Sequence, residues 1–314
     1  QSAADDLDAS DPATDSFTYT ISDGTTTDTA TLIFTVTGVN DVPTAADKTV
    51  TTNEDTPYVF STSDFGYTDA DDDDALVSIK ITTLEDAGAL QYYNGSAWVD
   101  VTLNQVITVS DITSGYLRLN PTADENGSPY TTINFTVNDG DSDSATPNTI
   151  TVNVTAVNDA PTAANNTVTT NEDTDHTFAA SEFNFTDVDG DSLDHISIET
   201  LPSNGTLLLS GNAVSAGDQI SITNIANLVF RPATNENGTG YDTFTFSVND
   251  GTVDGASIYT MTVNVTAVND APVADDETGA VNEDATLTVT DGTSDVLHGD
   301  TDVDSGDTLT ATTY

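Results

Sequence analysis

Val157-Asn158-Asp159-Ala160-Pro161 occurs again as Val268-Asn269-Asp270-Ala271-Pro272 and, with one change, as Val39-Asn40-Asp41-Val42-Pro43. Each copy follows an alternating Thr/Val run and precedes a polar stretch ending in Asn-Glu-Asp. The proline stiffens a short segment whose Asn-Asp pair offers oxygen ligands. The stretch reads as a joint between repeated modules.

Working outward, other elements recur in step with the joint. Pro43 and Pro161 stand 118 residues apart, and Pro161 and Pro272 stand 111 apart. Asn53-Glu54-Asp55 returns at the same two steps as Asn171-Glu172-Asp173 and Asn282-Glu283-Asp284. Asp69, Asp71 and Asp73 return as Asp187, Asp189 and Asp191, and Glu125-Asn126-Gly127 returns as Glu236-Asn237-Gly238. A period of this size suits a β-sandwich of about 100 residues better than a short solenoid repeat.

Alternating apolar residues supply the strands. Phe17, Tyr19 and Ile21, a turn at Asp23-Gly24, then Leu32, Phe34 and Val36 read as a hairpin with one apolar face. The pattern recurs as Ile133, Phe135, Val137, Asp139-Gly140, Ile150, Val152 and Val154. It recurs again as Phe244, Phe246, Val248, Asp250-Gly251, Met261, Val263 and Val265. Val77, Ile79 and Ile81, Leu207 and Leu209, and Ile220 and Ile222 are further strand candidates. Thr and Val dominate, which favours strand over helix, and no amphipathic helix of useful length is present. Tyr130 and Tyr241 each sit three residues before a hairpin strand, as a Greek-key tyrosine corner or as ordinary half-buried tyrosines. Residues 1–38 then read as the back of a module and residues 268–314 as the front of one. Between them lie complete modules at 39–156 and 157–267. The window is either cut from a longer tandem array or pairs head to tail with another copy.

Composition narrows the chemistry. Four Lys and Arg face 53 Asp and Glu, a net charge of −49. Such a field repels nucleic acid and anionic membranes and attracts cations. The acids sit in short clusters between alternating strands, which argues against disorder. The absence of cysteine rules out disulfides, thiolate metal sites and cysteine nucleophiles. No apolar run reaches membrane-spanning length. His176, His195 and His298 stand singly, without the spacing of a zinc site. His195 follows Asp194, and adjacent strand residues face opposite ways, so it reads as a surface histidine. Carboxylates are too abundant for any glycosidase pair to mean anything, and no phosphate-binding loop is present. These repeats are therefore read as non-catalytic. Trp98, beside Tyr92 and Tyr93 in a stretch peculiar to the 39–156 module, is either a sugar-stacking platform or ordinary packing.

Calcium takes six to eight oxygens from carboxylates and carbonyls. Each joint offers that set. The Asn158 joint would gather Glu54 and Glu125 from the module before, Asn158 and Asp159 from the linker, and Asp187, Asp189 and Asp191 from the module after. The Asn269 joint would draw on Glu172, Glu236, Asn269, Asp270, Asp302 and Asp304. The Asn40 joint has Asn40, Asp41, Asp69, Asp71 and Asp73, with Asp8 or Asp11 in place of upstream glutamates. The bland alternative is a set of solvated turn loops, since Asp-Gly and Asn-Gly are common turn chemistry. An EF-hand fails: counted from Asp187, position six is Ser192 and position twelve is Ile198, where Gly and Glu are required.

Val-Asn-Asp-Ala-Pro joints with Asn-Glu-Asp, Asp-x-Asp-Gly-Asp and Glu-Asn-Gly resemble bacterial cadherin-like tandem repeats. Residues 268–314, with Asn282-Glu283-Asp284-Ala285-Thr286-Leu287 and Asp300-Thr301-Asp302-Val303-Asp304, look like the front of a VCBS-type repeat. Residues 1–38, with Asp15-Ser16-Phe17-Thr18-Tyr19-Thr20, look like the back of one. The resemblance implies an all-β chain of tandem Ig-like or cadherin-like Greek-key sandwiches in an extended rod. It implies calcium-stiffened linkers in large secreted or surface-anchored adhesins and biofilm-matrix proteins. In animal cadherins an Asp-x-Glu contributes to the ion sites, where this chain has Glu-Asn-Gly. The expected role is an extracellular calcium-rigidified spacer or fibre. The rivals are a module that binds a glycan or cell-surface protein, and an accessory region of a secreted polysaccharide-degrading enzyme.

Overall fold

The computed structural model describes residues 13–71, 75–286, 296–304 and 306–311. The chain divides into two compact units, Gln1–Val157 and Asn158–Tyr314. The first unit opens with strands β1 (Ala13–Ser22) and β2 (Thr27–Val36), paired antiparallel from Ala13 opposite Val36 to Ser22 opposite Thr27.

The same unit continues with a two-sheet sandwich. Its strands are β3 (Lys48–Asn53), β4 (Tyr58–Val59), β5 (Ser78–Thr83), β6 (Ala89–Tyr93), β7 (Trp98–Asp100) and β8 (Val106–Thr108). After a one-turn helix α1 (Val109–Thr113) come β9 (Leu117–Asn120), β10 (Gly127–Asn138) and β11 (Asn148–Thr155). One sheet runs β3-β11-β10-β5-β8 and the other β4-β9-β6-β7. The first strand joins parallel to the last, with Val50 opposite Val152.

The second unit holds the same sandwich. Its strands are β12 (Asn166–Asn171), β13 (His176–Thr177), β14 (His195–Thr200), β15 (Thr206–Leu209), β16 (Asn212–Ala213), β17 (Gln219–Ser221), β18 (Leu228–Arg231), β19 (Gly238–Asn249) and β20 (Tyr259–Thr266). They form sheets β12-β20-β19-β14-β17 and β13-β18-β15-β16, with Val168 opposite Val263.

Period-two alternation puts one face of the β10–β11 and β19–β20 hairpins inside, whereas the matching face of β1–β2 is exposed. Ile133, Phe135 and Val137 on β10, and Phe244, Phe246 and Val248 on β19, are fully buried. Phe65 meets Phe135 edge to face at 5.0 Å, and Phe183 meets Phe246 the same way at 4.9 Å. Gly140 and Gly251 follow Asp139 and Asp250 in the hairpin turns at φ of +119° and +100°, which a side chain would resist. Two alternation readings change at the edges. Val77 and Ile222 are exposed because each lies one residue outside its strand, where the pleat no longer sets direction.

Tyr130 and Tyr241 make the corner bond. Each hydroxyl accepts a backbone N–H eight residues upstream, from Thr122 at 3.1 Å and Ala233 at 3.3 Å. Trp98 packs on the outer face of its sheet. The Arg118 guanidinium lies 3.9 Å from its ring centroid, Tyr93 stands 5.5 Å away, and Gln91 Oε1 accepts from Arg118 Nε and Nη2. His195 corrects the sequence reading. It is half-buried, and its Nδ1 lies 2.9 Å from Asp194 Oδ2, because Asp194 precedes the strand and escapes strand alternation. No helix among the described residues is long and apolar enough to cross a membrane.

Candidate metal centre

One backbone pattern recurs at all three joints. The N–H groups of Asp41, Asp159 and Asp270 donate to Oδ2 of Asp71, Asp189 and Asp304, at 2.7, 2.7 and 2.6 Å. The N–H groups of those three acceptors donate in turn to Oδ1 of Asp69, Asp187 and Asp302, at 3.0, 2.9 and 2.9 Å. Each Asp-x-Asp thus folds back on itself in an Asx-type turn, which aspartate favours because its short carboxylate reaches its own backbone. An antiparallel bridge holds the loop against the segment that follows the joint: Thr44 to Thr68, Thr162 to Thr186 and Val273 to Thr301.

That folding leaves oxygens over. Asn40 Oδ1, Asp71 Oδ1, Asp187 Oδ2 and Asp270 Oδ2 are buried without a hydrogen-bond donor. Asp71 is only 3% exposed, so its spare oxygen is shut off from bulk solvent. A buried carboxylate oxygen without a donor or cation is costly. Asn40 is oriented by its amide nitrogen, which donates to the Asp41 carbonyl and, at 3.3 Å each, to Asp139 Oδ2 and Ser142 Oγ. Its carbonyl oxygen is the end left without a partner. Asn158 is oriented the same way by Asp250 Oδ2 at 3.0 Å. Burial opposes the charge on Asp139 and on Asp250, but hydrogen bonds, from Ser142 and Asp141 in one case and from Asn158, Val253 and Thr252 in the other, hold both carboxyls below the ordinary range.

The Asn269 joint gathers its acids within the second unit. One carboxylate oxygen each of Glu172, Asp270 and Asp304 lies within 4.8 Å of the others. Asp302, Asp304 and Asp307 form an overlapping group, and Asp187, Asp189 and Asp191 a third. Glu172 is almost fully buried. Its Oε1 accepts the Val268 N–H at 2.5 Å and its Oε2 the Asn237 amide at 2.9 Å, and these bonds hold its carboxyl below the usual range. Asp270 goes the other way. Desolvation first, then the charges of Asp304, Asp173, Glu172 and Asp302, push its carboxyl up. An anion that resists ionising beside four others, with a spare buried oxygen, is the arrangement a hard cation relieves.

Glu54 has Glu172's bonds in the first unit: Oε1 accepts the Val157 N–H at 2.5 Å and Oε2 the Asn126 amide at 3.4 Å. Other expected ligands are placed differently. Glu236 stays outside the Glu172 group. Its Oε2 lies 2.8 Å from the Tyr241 hydroxyl, as Glu125 Oε2 lies 3.1 Å from that of Tyr130. Asn269 donates its amide to the Asp270 carbonyl at 2.6 Å. Asp73, Asp8 and Asp11 lie outside the described residues.

Sequence reasoning passed over four groups. Asn126 and Asn237 pin the buried glutamates, and Asp139 and Asp250 orient the joint asparagines. The signal was present, since both sets recur in step with the joint. The Asp-Gly pairs signal a turn, and their bracing of the joint asparagines depends on contacts across 99 and 92 residues.

Residues 158–266 match the model of a family described as Bacterial Ig domain. The repeat is Ig-like. No curated protein matches the chain. Among solved structures, mouse protocadherin-24 EC1-3 is 15% identical at a TM-score of 0.44, over 81% of this chain and 80% of that one. Mouse clustered protocadherin gamma C3 EC1-3 is 13% identical at 0.41, over 82% and 77%. An endo-fucoidan hydrolase of glycoside hydrolase family 107 is 16% identical at 0.26; the Ig-like chain spans 35% of its length.

Proposed function

We propose that this chain is an extracellular, calcium-rigidified stretch of non-catalytic Ig-like repeats that acts as a spacer or fibre of a bacterial adhesin or matrix protein. The observation that carries the reading is the spare buried oxygen beside each folded Asp-x-Asp loop, above all Asp71 Oδ1. At the Asn40 joint the holders would be Asn40, Asp69 and Asp71, and at the Asn269 joint Glu172, Asp270, Asp302 and Asp304. Their donor set is all oxygen, which fits calcium and disfavours zinc or copper. A bound ion would cancel the repulsion among these carboxylates and tie the linker to the loop after it.

The residues themselves arrange for this. Asp41 and Asp270 hold the loop through backbone N–H groups, so their side chains stay available. Val268 and Asn237 orient Glu172 and keep it ionised.

Scanning calorimetry and small-angle scattering in millimolar calcium and in EDTA test the reading. EDTA should lower the melting temperature and broaden the distribution of intramolecular distances. Identical curves in both buffers would overturn it.

A further inference from the structure

The hairpin β1–β2 carries the residues that line the core in its two homologous hairpins. Phe17, Tyr19, Ile21, Leu32, Phe34 and Val36 correspond to Ile133, Phe135, Val137, Ile150, Val152 and Val154. The latter six are 0–3% exposed, whereas the former are 41–60% exposed. A contiguous apolar face of that kind marks a surface built for a partner.

The two complete sandwiches show what pairs with the open edge of such a hairpin. The segment after the preceding joint adds as a parallel strand to its second strand, Lys48–Asn53 along β11 and Asn166–Asn171 along β20. The chain carries a third copy of that segment at Glu277–Asn282, and there it forms no strand and is exposed.

We propose that residues 277–282 of one copy of this chain add in parallel to β2 of a second copy. The register follows from the two examples. Lys48 faces Ile150 and Val50 faces Val152, so Glu277 would face Leu32, Gly279 would face Phe34 and Val281 would face Val36.

Side-chain volume supports that register. Both complete sandwiches place Val opposite Val at the core position, Val50 with Val152 and Val168 with Val263. Here the large Phe34 falls opposite Gly279. One position is enlarged and its partner emptied, as close packing requires when volume is conserved. Strand addition to an open edge also satisfies the backbone groups along β2.

The pairing would complete the Asn40 joint. Glu54 and Glu172 each accept an N–H from the joint valine, Val157 and Val268. Their third counterpart is Glu283, and the third joint valine is Val39, which is 79% exposed. Glu283 of the second copy would accept the Val39 N–H and bring a glutamate to Asn40, Asp69 and Asp71. This last step rests on the calcium reading; the strand pairing does not.

Because the chain has no cysteine, the register can be tested by cross-linking. Ile33 and Thr278 would be Cα partners, as Thr151 is to Thr49, close enough for a disulfide. The full chain carrying Ile33→Cys and Thr278→Cys should form a ladder of covalent oligomers under mild oxidation, in EDTA and more so in calcium. Each single-cysteine chain should stop at dimer. Adding Phe34→Asp to the double variant should abolish the ladder while calorimetry still shows both sandwiches folded. No ladder at high protein concentration, a product of monomer mass, or a ladder that survives Phe34→Asp would overturn the pairing. A ladder indifferent to calcium would overturn only the part played by Glu283.

Discussion

The hairpins β1–β2 and β19–β20 share a pattern and differ in fate. Both alternate apolar and Thr-rich positions, and both turn at Asp-Gly. In the second, Phe246 is fully buried edge to face against Phe183. In the first, the equivalent Tyr19 is 45% exposed and its ring neighbour is Phe17, on its own strand. The difference teaches that alternation assigns a side chain to a face, while burial depends on what other segments bring to that face.

The largest test of this contrast is truncation. Phe246→Ala should cost the second sandwich about 4 kcal/mol by the transfer and cavity terms of core deletion, read by denaturant unfolding. Tyr19→Ala in dilute protein should move stability by less than about 0.5 kcal/mol, as for a surface substitution. Similar losses at the two sites would mean that the hairpin face is already covered.

A second contrast lies between the two complete sandwiches. Asp242 corresponds to Thr131, and both tie down the loop that enters the neighbouring strand. Thr131 Oγ1 accepts one good bond, from Asp86 N–H at 3.0 Å. Asp242 is buried and accepts the N–H groups of Ser203, Asn204 and Gly205 at 2.9, 2.7 and 2.8 Å. Gly205 is required there, since a Cβ would lie 2.3 Å from the Phe230 ring. Burial opposes the Asp242 charge, but backbone donors from Ser203, Gly205, Asn204 and Thr243 hold its carboxyl below the ordinary range. Asp242→Ala should therefore cost about 3 kcal/mol, and Thr131→Val about 1. A folded pKa below the unfolded value gives stability that is present above the unfolded pKa and lost as pH falls through the folded one. Acid unfolding of the second sandwich should accordingly steepen below about pH 4, near the ordinary Asp value, and Asp242→Asn should flatten that limb. A pH profile unchanged by Asp242→Asn would remove the clamp from the account.

The smallest expected effect is at the surface. Lys80 pairs with Asp143 across the open face of the first sandwich, where both side chains are substantially exposed. Lys80→Ala should change stability by less than about 0.5 kcal/mol and lose even that in high salt. A larger loss would show that Lys80 also shields neighbouring carboxylates in this strongly acidic chain.

Much of the fold was legible because its signals are local and repeated. Three joints, the Asp-Gly turns and the alternating runs place every long strand. The 118- and 111-residue steps differ by seven residues. Four of these fall between Leu90 and Ile107, around the β6–β7 hairpin that carries Trp98, against Leu207 and Ile220 in the second sandwich. The candidate site was legible in part. At the Asn269 joint, Glu172, Asp270 and Asp304 lie within one cluster. Glu236 does not join them. Spacing cannot tell a carboxylate that faces the joint from one held by a tyrosine hydroxyl five residues downstream.

The sequence by itself determined the unit of repetition, the faces of the strands and the oxygen-only chemistry of the joints, because these depend on residue type and short spacing. Only the tertiary structure decided which oxygens are left over. Asp71 Oδ1 is spare because the Asp41 N–H takes its other oxygen, and Asp270 Oδ2 is spare while Asp270 grips the loop through its backbone N–H; both bonds join segments about 30 residues apart. The same reason separates the β1–β2 hairpin from its two homologues: periodicity fixes direction within a strand, and distant chain decides what lies opposite.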